Sequence, residues 1–308
     1  MPQSMLVEAH HRLMYANSVT MVAQQTRDPF AGAVTDASAT GEAQSVTDLV
    51  DAGEYAYGEE RSRRNPEMPI SGSRRWVVMP PVIESGQYID KEDKWRTATD
   101  PTSTIVTTHT RRVIRGKADR TLGIRRAEDG TYTVQDGGIL GYATEGKRGT
   151  TQVGLPSSQL VPVGTTGLTL DKLRDAVKTL KLADFGMEDD DPLYCSITPN
   201  QEDDLLAIAA ASGANLNTFS IDQLRTGKPT MLMGVNWILT NRLPVDAAES
   251  RLCPIWSKKN IVRGIWQDVQ GSMWNDSHAK ELPYAYVSAY IDCVRVQDKG
   301  VIVIECKE

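Results

Sequence analysis

Few residues in this chain have the type and spacing for chemistry. GYATEGKR at 141–148 matches GxxxxGK, the spacing in which backbone amides cradle phosphates and a lysine reaches them. That motif needs a Ser or Thr after the lysine to hold Mg²⁺, and Arg148 stands there instead. It also needs a helix N-terminus facing the phosphates, which the next stretch, GTTQVGLPSS, cannot supply. A nucleotide-binding enzyme would have to rest on Gly146-Lys147 alone. His10, His11, His109 and His278 fall in no HExxH or other paired metal spacing. No GxSxG occurs and no cysteine neighbours a histidine, so a nucleophilic dyad has no support. The acidic run EDDDP at 188–192 offers hard oxygen ligands of the kind Ca²⁺ takes, but it reads as a solvated loop before a strand. The expectation is no enzyme, no cofactor and no metal.

The cations are better organised. Arg111, Arg112, Arg115, Lys117 and Arg120 crowd one predicted helix, and Arg125 and Arg126 stand at its exit. Such a stripe suits either sequence-independent contact with phosphate or an inter-subunit face paired with acids such as Asp119 and Glu128. Stacking aromatics are absent from it, which disfavours specific single-strand recognition. The inter-subunit reading is the stronger one. A second group, Arg61, Arg63, Arg64, Arg74, Arg75, Trp76 and Trp95, combines the two residue types enriched at the energetic centres of interfaces. The bland alternative is that Trp76 packs within its own hairpin.

The elements that would position these groups come from composition and pattern. At 308 residues the chain can bury roughly three quarters of its unfolded surface. Its 40% hydrophobic and 24% charged residues are ordinary for a folded protein. A net charge of −6 argues against a dedicated nucleic-acid binder. No apolar run is long enough to cross a bilayer, and the first residues lack the features of a secretory signal, so no membrane partner is expected. The scattered Cys195, Cys253, Cys293 and Cys306 read as free thiols of a reducing compartment. Trp outnumbers Phe six to three, a bias that pattern alone does not explain.

Residues 26–45 hold few large apolar groups and can be ordered only against another surface. Residues 54–98 read as a long hairpin with limbs EYAYGEERSRR and RRWVVMPPVIESGQYI around a turn-rich tip. Asp100-Pro101 opens a helix over 101–122, with Gly116 as a weak point. A glycine- and threonine-rich β subregion fills 125–168, and a second helix spans 169–184. YCSI is a buried strand, and Thr198 with Gln201 makes a capping box for the helix after it. SIDQLRTG predicts a short helix, MLMGVNWILT a strand over 231–239, and the end of the chain two strands meeting at Asp298-Lys299-Gly300.

Taken in order, these pieces resemble the major capsid proteins of tailed bacteriophages, whose fold is shared with herpesvirus shells and encapsulins. IDKEDKWRTATDPTSTIVTTHTRRVIRGKADRTLG is similar to that family's extended loop running into its spine helix. LTLDKLRDAVKTLK resembles its second peripheral helix, and LYCSITPNQEDDLLAI the strand, proline and helix that open its axial domain. PTMLMGVNWILTNRLP and VSAYIDCVRVQDKGVIVIECKE are similar to its glycine-containing strand and closing strand pair. The resemblance implies an α+β fold in five parts. These are an N-terminal arm over 1–50, an extended hairpin loop over 51–98, and a peripheral domain over 99–186. An axial domain over 187–283 and closing strands over 284–308 complete it.

It also implies a structural, self-assembling subunit. Pentamers and hexamers would build an icosahedral shell around double-stranded DNA held without sequence specificity. A separate scaffolding protein, a portal and a decoration protein are the partners implied. The location is the virion capsid, and the host cytoplasm during assembly. A cellular encapsulin-type compartment is the alternative.

Overall fold

The computed structural model describes residues 9–50, 72–89, 101–146, 148–164, 166–188, 190–211, 231–246, 249–279 and 281–308. It is a mixed structure, 29% helix and 42% strand, with four sheets among the described residues, and helices pack against the two that form most of the core.

One sheet has the order β11 (Val235–Leu239), β10 (Leu193–Ile197), β12 (Ser250–Ser257), β15 (Val301–Lys307), β9 (Leu160–Val161). Its β12 and β15 are apolar on both faces, as strands covered on both sides must be. Helix α3 (Leu170–Leu182) lies against it, burying Leu173, Ala176, Val177 and Leu180. Thr169 caps α3, its hydroxyl accepting from the Lys172 amide at 3.3 Å. Helix α4 (Pro199–Ala211) starts with the expected capping box, for the Gln201 side chain accepts from the Thr198 amide at 3.1 Å.

The other sheet has the order β1 (Thr35–Ser38), β13 (Ile261–Asp276), β14 (Leu282–Arg295), β4 (Ile83–Tyr88). Its inner face, with Met273, Ala285, Val287 and Ala289, packs on α1 (Ala9–Gln25) and α2 (Pro101–Leu122). Helix α2 spans the residues the sequence predicts. Gly116 leaves room for β4: a Cβ there would stand 2.5 Å from Ile83 Cγ2.

The glycine-rich stretch after α2 has a definite task. The Ile139 and Leu140 amides donate to the Thr121 and Leu122 carbonyls at 3.1 and 2.9 Å. These satisfy acceptors that a helix end leaves open. The backbone must approach closely to do so, and a Cβ on Gly138 would lie 2.1 Å from the Gly123 nitrogen. Around it, β5 (Ile124–Arg126) pairs with β6 (Tyr132–Val134) in a small hairpin.

Three readings are corrected. Residues 9–25, expected to be part of a weakly patterned arm, form α1, held because Tyr15 and Val19 sit against Gly271 of β13. The limb read over 74–89 is split between two sheets, β3 (Gly72–Val78) pairing with β2 (Ala43–Val50) and β4 with β14, while the other limb, 54–64, lies outside the described residues. The predicted strand at 231–239 begins only at Val235, because Met233 and Gly234 take positive φ and turn the chain. Two strands, β14 and β15, do flank Asp298-Lys299-Gly300 as read, and they belong to different sheets. Asp100, the tip of the hairpin and the predicted helix SIDQLRTG lie outside the described residues.

Candidate functional site

Strand β3 alternates, and the alternation divides the residues expected to grip a neighbour. Arg74 and Met79 are exposed, while Arg75 and Val77 point inward, each with 3% or less of its surface accessible. Arg75 Nη2 reaches Asp298 at 2.8 Å and Glu145 at 3.5 Å, and Asp298 also accepts from Arg295 Nε at 2.6 Å. Two buried guanidiniums and two carboxylates thus balance within the chain, the condition under which a buried charge is tolerated. Trp76 donates from its indole nitrogen to the Gly146 carbonyl at 2.6 Å and lies over Gly149. These two glycines belong to the turn between β7 (Ala143–Glu145) and β8 (Thr151–Val153), which extend the β2–β3 sheet. Arg61, Arg63, Arg64 and Trp95 lie outside the described residues.

Beside Trp76 opens a cleft of about 430 Å³ walled by Met79, Pro80, Pro81 and Gln152. Arg120 and Asp292 lie at it, paired at 2.9 Å. Burial pushes the Asp292 carboxyl up, against the pull of Arg120.

The cationic stripe divides as well. Lys117 is buried and pairs with Asp268 at 2.9 Å, and Arg120 is half-buried against Asp292. Asp119 turns away from the stripe and chelates Arg242, whose guanidinium also lies 5.4 Å over the Tyr132 ring. Arg111, Arg112 and Arg115 are exposed, and no ion pair to them is formed among the described residues. They occupy the side of α2 opposite Val106, Thr110, Val113 and Ile114, which face the sheet.

The outer face of the β13–β14–β4 sheet carries a cluster that sequence reading did not single out. Tyr88, Trp274, Tyr284 and Tyr286 meet there, with ring centroids 4.7 Å apart for Tyr88–Tyr284 and 5.1 Å for Trp274–Tyr284. Tyr88 donates to Asp276 and Tyr286 to Glu84, each at 2.7 Å. Tyr284 and Tyr286 show the period of two, but the partners come from strands far apart in the chain.

The remaining chemical motifs are built into the scaffold. In GYATEGKR, residues 143–145 are strand β7, and the turn leads into strand β8 rather than into a helix. In the acidic run, Asp191 is buried and accepts from the Ser257 hydroxyl and the Lys259 amide, while Lys259 pairs with Glu188 and Asp190. His109 is buried, its Nδ1 2.7 Å from the Ser85 hydroxyl, and burial lowers its pKa. The cysteines are all buried and unpaired. Among the described residues no group of His, Cys, Asp and Glu could hold a metal, and no helix is long and apolar enough to cross a membrane.

The sequence model of the family described as phage capsid protein matches residues 7–308. The chain belongs to the phage capsid protein family. No curated protein matches it in sequence. The capsid of Ralstonia phage GP4 superposes with a TM-score of 0.61 at 13% identity, over 89% of this chain and 87% of that one. The capsid of an empty GTA particle gives 0.62 at 14% identity, over 91% and 90%. The holo-SrpI encapsulin complex from Synechococcus elongatus PCC 7942 gives 0.54 at 13%, over 92% and 88%. At such identities the likeness is one of fold, and the fold is that of the tailed-phage major capsid proteins. This phage capsid protein is therefore a shell component, and its outward surfaces are its candidate functional sites.

Proposed function

We propose that the chain is the major subunit of an icosahedral virion shell, assembling as pentamers and hexamers around double-stranded DNA. The observation that carries this reading is the family match over residues 7–308, nearly the whole chain. The role is structural rather than enzymatic. Heterologous contacts that do not close into a small ring extend into large assemblies, and segments ordered on neighbours enlarge each contact. The family description supports a viral shell over the encapsulin-type compartment that shares the fold. A separate scaffolding protein, a portal and a decoration protein complete the particle, which forms in the host cytoplasm.

The test is light scattering and negative-stain electron microscopy of the purified chain over a range of concentrations, with and without its scaffolding protein. Closed shells, or rings of pentamers and hexamers, are expected. A monomer at every concentration with the scaffolding protein present overturns the proposal.

A further inference from the structure

Lys172 is the third residue of α3, at the end of a helix where the dipole disfavours a cation. Its ammonium is held there by four main-chain oxygens. Nζ lies 2.6 Å from the Val163 carbonyl, 2.8 Å from that of Thr166, 2.9 Å from that of Gly167 and 3.0 Å from that of Glu305. An ammonium has three protons, so four acceptors at such distances exceed what it can bond one to one. The arrangement is a shell of carbonyl dipoles around a cation, the kind that replaces an ion's water.

The backbone before α3 is bent to build this shell. The β9–β15 ladder stops at Val161 opposite Ile304, and Pro162 has no N–H with which to continue it. Beyond that point the amides turn to carboxylates. Val163 donates to Glu305 at 3.3 Å and Leu168 to Asp204 at 2.8 Å. Gly167 fits closely, for a Cβ there would stand 2.1 Å from Asp204 Oδ2. With the amides so engaged, the carbonyls of Val163, Thr166 and Gly167 converge on one point. Converging acceptors without a donor among them are costly.

We propose that these four carbonyls form a monovalent-cation site, with Lys172 as its tethered occupant. Freed of the tether, the cage takes a cation of ammonium size, K⁺ in preference to the smaller Li⁺. The shell is made of neutral oxygens with no carboxylate, unlike the sites that Ca²⁺ prefers, so a single positive charge suits it. The site fastens α3 to the edge of the sheet at β15. This part of the fold therefore depends on a charge at one point and not on the lysine stem. The inference stands apart from the shell reading.

The test is the urea midpoint of the full-length Lys172→Ala variant at constant ionic strength in lithium, potassium or ammonium chloride. Expected is a loss of stability in lithium chloride that potassium and ammonium restore, growing with the logarithm of their concentration as site binding does. The unaltered chain should not distinguish the three salts. Lys172→Met, which keeps the stem and omits the charge, should stay destabilised in all of them, because its methyl group fills the cage. Lys172→Ala equally stable, or equally unfolded, in the three salts overturns the proposal, and so does Lys172→Met as stable as the unaltered chain.

Lys172→Cys gives a second reading, since the native cysteines are all buried. Alkylation with bromoethylamine rebuilds an ammonium at the same reach. It should restore the midpoint and remove the response to potassium. Bromopropane adds the same bulk without charge and should leave the variant destabilised. Equal effects of the two reagents overturn the assignment of a cation site.

Discussion

Single side chains do more long-range work here than their neighbours in sequence reveal. The excess of Trp over Phe is an example. Trp76, Trp256 and Trp266 each donate an indole N–H to a carbonyl of a distant segment, at Gly146, Ala33 and Gly41. Phe could fill the same space but could not make those bonds. Glu308 is another. Arg251 above all, with Gln201 and Thr198, holds its carboxyl down at about 2 from an ordinary 4.5. A carboxyl with a depressed folded pKa contributes stability above its unfolded value, and that contribution is lost as pH falls toward the folded one. Glu308→Gln should therefore lower the urea midpoint at pH 7, and the gap to the unaltered chain should close between about pH 4.5 and 2. A gap independent of pH would refute the role of this charge.

Gly116 shows how an element can overrule a propensity. Replacing a mid-helix Gly by Ala ordinarily gains about 1 kcal/mol. In α2 the new methyl would meet Ile83 Cγ2 at 2.5 Å, so Gly116→Ala should instead cost about 1–3 kcal/mol, as overpacking does. Adding Ile83→Leu, which removes that branch, should recover part of the loss in a denaturant titration. Gly116→Ala more stable than the unaltered chain would show that β4 yields.

Strand β3 poses the parallel question for Trp76, whose indole is anchored on the β7–β8 turn of its own chain. We expect Trp76→Ala to keep the far-ultraviolet circular dichroism of the folded chain while reducing shell yield. Loss of the folded signal would instead make Trp76 an internal staple only. The elements legible in sequence were those with local punctuation. Helix α2 starts at Pro101, where the sequence places it, and the Thr198–Gln201 box stands at the start of α4. The β2–β3 pairing and α1 were not legible. AQSVTDLV pairs with a strand more than twenty residues on, Ser45 opposite Trp76 and Thr47 opposite Arg75, and α1 is held by the close approach of Gly271.

At the scale of the whole molecule, order mattered more than any motif. No single stretch of the chain marks a capsid protein. The succession of capped helix, buried strand, capped helix and closing strands resembled one because each piece sits at a workable distance from the next. The site was less legible than the fold. Which cations face outward depends on α2 packing against β14, and sequence spacing did not separate Lys117 and Arg120, which are paired, from Arg111, Arg112 and Arg115. The aromatic face joins Tyr88 to strands near the end of the chain, a juxtaposition only the folded sheet creates.

The glycine contact that closes α2 sets a limit on what variation this subunit can absorb. Side chains on Gly138 or Gly141 would run into backbone at 2.1 and 2.0 Å, and backbone cannot rotate aside. The β5–β6 tip at Glu128 and Asp129, a few residues away, is exposed. A library covering residues 123–141 should therefore divide sharply, with Gly123, Gly138 and Gly141 empty of viable substitutions and Glu128 and Asp129 at the tip accepting nearly all of them. A peptide displayed on the particle would belong at that tip, and an insertion only eight residues further on would unseat the helix end it was meant to decorate.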